Sequence, residues 1–362
     1  MSIFPDGSLC AEVAEEEMGG QKPQYSKKQV DAAGATLVAA LSSESDLDEA
    51  YTVINNWRSS HSVPLNIFRR TLRQNAEKRD SNCLVAQRIK RLSSIELKLR
   101  IFTTMKLGQM QDIGGCRAVV NGVDTVNDLM RLYRGSKTGS TLDHIDDYIA
   151  NPKKSGYRGV HLIYRYHSSK NELYNGLKIE IQLRSKLQHA WATAVETVGT
   201  FVRQALKSSM GEQEWLRFFA LMGSAIALRE HTPMVPNTPE NPQDLISELR
   251  DYVQRLDIVT RLRAYGTALL TLNQPGATVD AKYFLLELDP VAKQLSVTGF
   301  KANELDRASK QYLAAERSVN RQPGADAVLV SVDSLASLRR AYPNYFLDTS
   351  LFVDALLEAI VD

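Results

Sequence analysis

Residues 111–120 read Gln-Asp-Ile-Gly-Gly-Cys-Arg-Ala-Val-Val. Ile113 to Val120 is a short apolar run flanked by Gly114–Gly115 and Asn121–Gly122, so it reads as a buried strand ending in a turn. Val126 to Tyr133 then reads as a helix. Further on, Gly159–Tyr166 and Leu177–Leu183 are strand-like and are separated by a polar turn around Ser168–Asn171. Residues 185–206 read as a helix, with Leu187, Ala190, Trp191, Ala194 and Val198 at helical spacing. Strands interleaved with helices predict an α/β core at about 80–200.

The flanks differ in character. Residues 1–25 are acidic and aperiodic, and are expected to be loosely ordered. Residues 26–80 read as helical: Val30, Ala33, Leu37, Val38 and Leu41 share a face, and Asp46 can cap the segment that leads to Trp57. The central unit is expected at 81–210 and a helical region at 211–275. That region contains a proline-spaced loop from His231 to Pro242 and one long helix over 243–273. Residues 276–362 read as a separate small α+β module. In it, a hairpin turns at Asp289–Pro290, a helix follows at Asn303–Arg317 and a strand at Ala327–Val332, and helices close the chain at Asp333–Ala341 and Thr349–Val361.

Composition excludes several classes. The chain has 362 residues, with 44 Lys+Arg against 42 Asp+Glu and 43% hydrophobic content, which suits a folded globular protein. Cys10, Cys83 and Cys116 do not make a disulfide framework or a four-cysteine zinc site, so a reducing cytoplasm is expected. The longest apolar stretch, Phe218 to Leu228, is too short to span a membrane. The N-terminus carries Asp6, Glu12, Glu15, Glu16 and Glu17 before its first cation, Lys22, unlike a secretory signal. The net charge of +2 hides an uneven distribution: residues 69–100 hold ten cations and three anions. Such a run is either a solvated helix face or a phosphate-binding surface.

Three further segments carry chemistry-bearing residues. They are Arg88-Ile-Lys-Arg-Leu-Ser-Ser-Ile-Glu-Leu-Lys98, Gly156-Tyr-Arg-Gly-Val-His161 and Glu180-Ile-Gln-Leu-Arg184. Glu180 lies between Ile179 and Ile181, so alternation puts it on the opposite face from both. Taken with Asp112, the series offers cations for phosphates, two carboxylates suited to a hard cation such as Mg2+, and aromatic faces for bases.

In order and content the series resembles the synthetase domain of the RelA/SpoT alarmone synthetases, a branch of the nucleotidyltransferase superfamily. The resemblance covers about residues 84–200. It rests on RIKRLSSIELKL, DIGGCR, DYIANPKKSGYRGVH and EIQLRS. It implies an α/β (α+β) fold: a nucleotidyltransferase-like mixed sheet with flanking helices, followed here by the C-terminal module. It also implies pyrophosphate transfer from ATP to the 3′-hydroxyl of GDP or GTP, or of AMP, ADP or ATP. The implied ATP side is Arg88, Lys90, Lys98 and Arg117. Asp112 and Glu180 would be catalytic and would bind Mg2+. The implied acceptor side is Lys153, Tyr157, His161, Gln182 and Arg184.

Ser155, Ser185 and Thr193 depart from the residues usual in relatives and bear on acceptor choice. A second implied activity, that of the toxic small members, modifies the 3′-end of tRNA and is paired with a neutralising antitoxin. The chain has no His-Asp dipeptide, so a hydrolase half is not expected. The module at 276–362 is expected either to regulate the synthetase or to cap the preceding helix. Trp57, Trp191 and Trp215 are expected in the core, and Asn56–His61 either at a helix junction or on a binding surface. The sequence leaves oligomeric state open.

Overall fold

The computed structural model describes residues 21–39, 43–136, 139–205, 212–267, 270–273, 281–289, 292, 294–319, 325–331, 335–343, 345–346 and 348–361. The expectation for residues 1–20 lies outside them.

The first helices are α1 (Lys27–Val38), α2 (Glu44–Ser60) and α3 (Ser62–Glu77). The N-cap of α2 is Ser43 rather than Asp46; Asp46 sits at N3 and closes the capping box, its carboxylate accepting from Ser43 N while Ser43 Oγ accepts from Asp46 N. Asn56–His61 is a helix junction, with His61 buried at the boundary of α2 and α3. Strand β1 (Leu84–Ile89) leads into α4 (Leu92–Ile101). The core continues with β2 (Gly114–Val120), α5 (Val123–Gly135), β3 (Thr141–Asp147), β4 (Val160–Arg165), β5 (Lys178–Ser185) and α6 (Lys186–Ala205). The run at 113–120 is thus a strand, and it pairs in parallel with β5 and antiparallel with β1.

Beyond the core, α7 (Glu212–Arg229) precedes the proline-rich loop. The single helix expected over 243–273 is instead α8 (Pro242–Arg255) and α9 (Ile258–Thr267), followed by strand β6 (Leu270–Asn273). The break falls at Leu256–Asp257, where Asp257 has φ +47. A straight helix could not bury Leu256, Ile258 and Leu262 in one cluster with α6, α7 and the last helix, as the bent chain does. The C-terminal elements are β7 (Tyr283–Asp289), β8 (Gln294–Phe300), α10 (Leu305–Val319), β9 (Asp326–Ser331), α11 (Leu335–Ala341) and α12 (Ser350–Val361).

All strands join one mixed sheet in the order β3-β4-β5-β2-β1-β9-β7-β8-β6. The segment expected to stand apart is therefore fused to the core sheet. The junction is short: Gln87 pairs with Ser331 and Arg88 with Val330. Period-2 alternation sends side chains to two faces. Val85, Cys116, Ala118, Val120, Ile179, Ile181 and Leu183 pack on one face under α3 and α5. On the opposite face, Leu84, Ala86 and Val119 pack against Leu338, Ala341, Tyr342 and Tyr345 of the C-terminal segment. Trp191 and Trp215 are buried with α6, α7, α8 and α12, and Trp57 is partly buried beside α1, α2 and α4.

Candidate active site

The site begins on β5. Ile179, Ile181 and Leu183 are fully buried under α3 and α5, so Glu180, Gln182 and Arg184 must share the other face. That face is not a solvent face, since Glu180 is only 7% exposed. Beside it in parallel register stands Gly115 of β2, and a Cβ there would lie 3.9 Å from Glu180 Oε2. The absent side chain keeps the space between the carboxylate and its neighbouring strand open.

Asp112 enters from the loop that precedes β2. Its two oxygens accept from Lys90 Nζ at 2.7 Å and Lys98 Nζ at 3.1 Å. Lys90 follows β1, and Lys98 sits two turns into α4. Burial works against the Asp112 charge, but the two ammonium groups outweigh it and hold the carboxyl at about 2. Burial likewise lowers Lys90, and Asp112 opposes that shift.

Arg88, Lys90, Asp112, Gly115, Arg117, Glu180 and Gln182 line one cavity, together with Tyr342 from the C-terminal segment. The cavity measures about 40 Å3, well under the roughly 300–1,000 Å3 of ordinary ligand pockets. Arg117 Nη2 donates to the Ala341 carbonyl at 2.5 Å, and its guanidinium lies 5.5 Å from the Tyr342 ring. Burial, helped by nearby Arg184, lowers Arg117 to about 10. Tyr342 Oη donates to the Gln87 carbonyl at 2.8 Å, and Arg91 Nη1 donates to Tyr345 Oη at 3.1 Å. Both tyrosines also interact electrostatically with Arg88, and burial pushes each hydroxyl up to about 12.

The same segment grips the start of α4. Glu316 of α10 accepts from Arg58 Nη1 at 2.7 Å, from Arg58 Nη2 at 3.0 Å and from Leu92 N at 2.8 Å. Tyr312 Oη donates to Glu316 at 2.7 Å and accepts from Arg58 at 2.8 Å. Arg58 and Glu316 are 2% and 6% exposed. A carboxylate at a helix N-terminus with a bidentate arginine is a strong arrangement.

The second cluster lies beside Glu180. His161 Nδ1 is 2.8 Å from Glu180 Oε1, and Gln182 Nε2 donates to Oε2 at 2.7 Å. Burial opposes the Glu180 charge, and the His161 and Gln182 contacts outweigh it and lower its pKa. His161 Nε2 in turn lies 2.5 Å from Tyr157 Oη, which also accepts from Arg184 Nη2 at 2.9 Å. Lys153 Nζ is 4.0 Å from the Tyr148 ring and 5.5 Å from the Tyr157 ring. Lys153, Lys154 and Ser155 are exposed, so this cluster opens outward.

Its loop is held from behind. Gly156 has φ +93, and a Cβ there would meet the Phe219 carbonyl at 2.6 Å. Trp191 Nε1 donates to that carbonyl at 2.9 Å, and Arg158 donates to Thr232 Oγ1 at 2.6 Å.

The structure thus gathers Arg88, Lys90, Asp112, Arg117, Glu180 and Gln182 around one cavity, with Lys98 joined to it through Asp112, and Lys153, Tyr157, His161 and Arg184 around its outer side. Sequence reasoning missed Tyr148, Tyr342 and Glu316, and it singled out the Asn56–His61 stretch that holds Arg58 without its buried partner. Tyr148 stands inside the quoted DYIANPKK stretch and could have been read as an aromatic at the head of the loop. Tyr342 and Glu316 carry no local signal.

Among the described residues no group of three or more His, Cys, Asp or Glu could hold a metal. Asp112 and Glu180 form a pair instead. Two carboxylates suit Mg2+, which usually takes one or two from protein and completes its shell with water and substrate phosphates. No helix among the described residues is long and apolar enough to cross a membrane.

Residues 87–199 match the family described as the region found in RelA/SpoT proteins. The GTP pyrophosphokinase YjbM of Bacillus subtilis (strain 168) is 32% identical over 111 residues, which are 30% of this chain and 52% of YjbM. The chain thus spans about half the length of the curated relative it matches. Among solved structures, the small alarmone synthetase 1 of Bacillus subtilis bound to its product pppGpp is 22% identical. That match covers 55% of this chain and 96% of the other, with a TM-score of 0.41. A GTP pyrophosphokinase family protein of Streptococcus pneumoniae is 21% identical over 54% of this chain and 92% of its own, with a TM-score of 0.37. Lys90, Asp112 and Glu180 all lie inside the matched region.

Proposed function

We propose that this chain is a cytoplasmic pyrophosphokinase that moves the terminal pyrophosphoryl group of ATP to the 3′-hydroxyl of a guanine nucleotide, GDP or GTP. The carrying observation is the pair of half-buried Asp112 and buried Glu180, set between a lysine-arginine cluster and a tyrosine-histidine cluster. The RelA/SpoT match over 87–199 supports the same reading.

Phosphoryl chemistry of this kind is mostly positioning and charge neutralisation. Lys90 and Lys98 leave Asp112 for the ATP phosphates, and Arg88 and Arg117 hold the donor. Asp112 and Glu180 would hold Mg2+, which when bound supplies further charge neutralisation at the phosphates. Glu180 accepts the 3′-hydroxyl proton, and His161 and Gln182 fix the orientation of its oxygens. The 3′-oxygen bonds to the β-phosphorus as the bond from that phosphorus to the bridging oxygen of the α-phosphate breaks, and AMP leaves. Tyr157, oriented by His161 and Arg184, stacks on the acceptor base, with Lys153 beside it.

The C-terminal residues 276–362 would regulate this activity by covering the donor side. Support comes from Tyr342 in the cavity wall, the Arg117 contact with Ala341, and a cavity too small for a nucleotide. An adenine nucleotide is the alternative small acceptor. The basic run does not favour tRNA or, with it, an antitoxin-paired toxin. Its exposed Arg70 and Lys78 belong to the α3 segment, which packs across the sheet from Glu180.

The test is one assay. The full chain and a Tyr342→Ala variant receive γ-labelled ATP with GDP, GTP, AMP or deacylated tRNA. Label on GDP or GTP, stronger in the variant, is the expected result. Label on tRNA alone, or on no acceptor with either protein, would overturn the reading.

A further inference from the structure

A second cavity, of about 320 Å3, lies between α6 and the C-terminal segment, away from the carboxylate pair. Its size falls within the range of small-molecule sites. Its walls are largely apolar, formed by Leu84 and Val119 of the sheet, Ala190 of α6, and Leu351 and Phe352 at the start of α12.

One polar group inside it is unexplained. His189 of α6 is only 7% exposed, and its ring has at most one hydrogen-bond partner, the Arg340 backbone. Burial, followed by the Arg117 and Arg184 charges, keeps the ring neutral well below its usual range. A neutral imidazole offers one donor and one acceptor, so at least one of them is unmet here, and an unmet buried group is costly. A ligand atom of the complementary kind would satisfy it.

The rim is cationic. Lys186, Arg339 and Arg340 line the cavity, and Asp348 is the carboxylate among its lining residues. Arg339 and Arg340 are exposed; the first lies 5.1 Å from the Phe346 ring, and the second donates to the Asn82 carbonyl at 3.3 Å. Both retain donors in their planar forks for an anion.

We propose that this cavity binds a phosphate-bearing nucleotide, with its base on the apolar wall and His189 and its phosphates on Lys186, Arg339 and Arg340. Core and C-terminal segment both contribute walls, so an occupant bridges them. The assignment goes beyond the synthetase reading and does not depend on turnover.

The experiment uses the full chain carrying Lys90→Ala and Lys98→Ala, which weakens phosphate binding at the carboxylate cavity. Histidine ring resonances are followed by NMR while GDP, ADP and inorganic phosphate are titrated separately. The His189 signal is identified by its absence in His189→Gln. The expected result is a saturable shift of that signal with GDP or ADP, with affinity about tenfold weaker in each of the surface variants Lys186→Glu and Arg340→Glu. Three results would overturn the proposal: no saturable shift with either nucleotide, saturation by inorganic phosphate alone, or nucleotide affinity unchanged by both charge reversals. Because no transfer is measured, failure here leaves the synthetase reading intact.

Discussion

The two halves of the site are built from similar residues and lie in opposite states. The proposed donor half holds Arg88, Lys90, Lys98 and Arg117, and all of them face partners from the chain itself. Asp112 takes the lysines, and the backbone and rings around Tyr342 take the arginines. The proposed acceptor half holds Lys153, Tyr157, His161 and Arg184, already oriented by one another and open to solvent on the Lys153 side. One half is occupied and the other is prearranged. Positive charge in a cleft is therefore a poor guide to what the cleft can bind. What matters is how much of that charge is already neutralised by the protein itself.

The contrast can be broken most severely where the halves meet. Glu180→Gln keeps the shape but removes the proposed proton acceptor, and label transfer should fall about 10³-fold, in line with general-base contributions. A variant that folds by circular dichroism and still turns over normally would separate Glu180 from the chemistry.

Glu316→Gln should weaken the cover on the donor half. It leaves the Arg58 charge buried with a neutral partner, so a loss of about 3–5 kcal/mol is expected in denaturant titrations. Hydrogen exchange should accelerate in α10 and near Tyr345 while the β4–β5 backbone stays protected. Uniform acceleration would mean that the C-terminal segment does not open separately.

Acid should also act on the α2–α3 junction. Burial depresses His61 from 6.5 to about 4, although its contact with the Trp57 carbonyl opposes this. Between those values the unfolded chain binds a proton that the folded chain refuses. Stability is therefore complete above about pH 6.5 and declines as pH falls to about 4, by up to about 3 kcal/mol. A His61→Gln variant should show a flatter denaturation midpoint over the same window.

The acceptor half gives smaller effects. Tyr157→Ala should raise the acceptor KM by roughly tenfold, the scale of one stacked base. Tyr157→Phe should keep most of the stacking and lose only the hydroxyl held by His161 and Arg184. Equal effects of the two variants would point to the hydroxyl rather than the ring.

How much of this was legible in the chain follows from distance in sequence. The strand at 113–120 and the sidedness of Glu180 follow from period-2 patterning that is local to each segment. The RIKRLSSIELKL, DIGGCR and DYIANPKKSGYRGVH stretches are each weak alone, and only their order and the resemblance made the donor cations, Asp112 and the tyrosine loop readable. Asp257 was not, because its positive φ serves the packing of Leu256, Ile258 and Leu262 rather than any turn motif. Nor was the cover. Arg58 and Glu316 are 258 residues apart, as Arg117 and Ala341 are 224 apart, and no local pattern marks either pair. A buried arginine and a surface arginine look the same in sequence.

The two-residue seam between β1 and β9 limits how the cover can lift. Were the C-terminal segment to leave entirely, β1 would become a bare edge, its unpaired backbone groups able to template pairing with another chain. Complete release would thus expose the protein to aggregation. Opening confined to α11 and the tyrosines after it would uncover Arg88 and Arg117 while β9 keeps the edge closed.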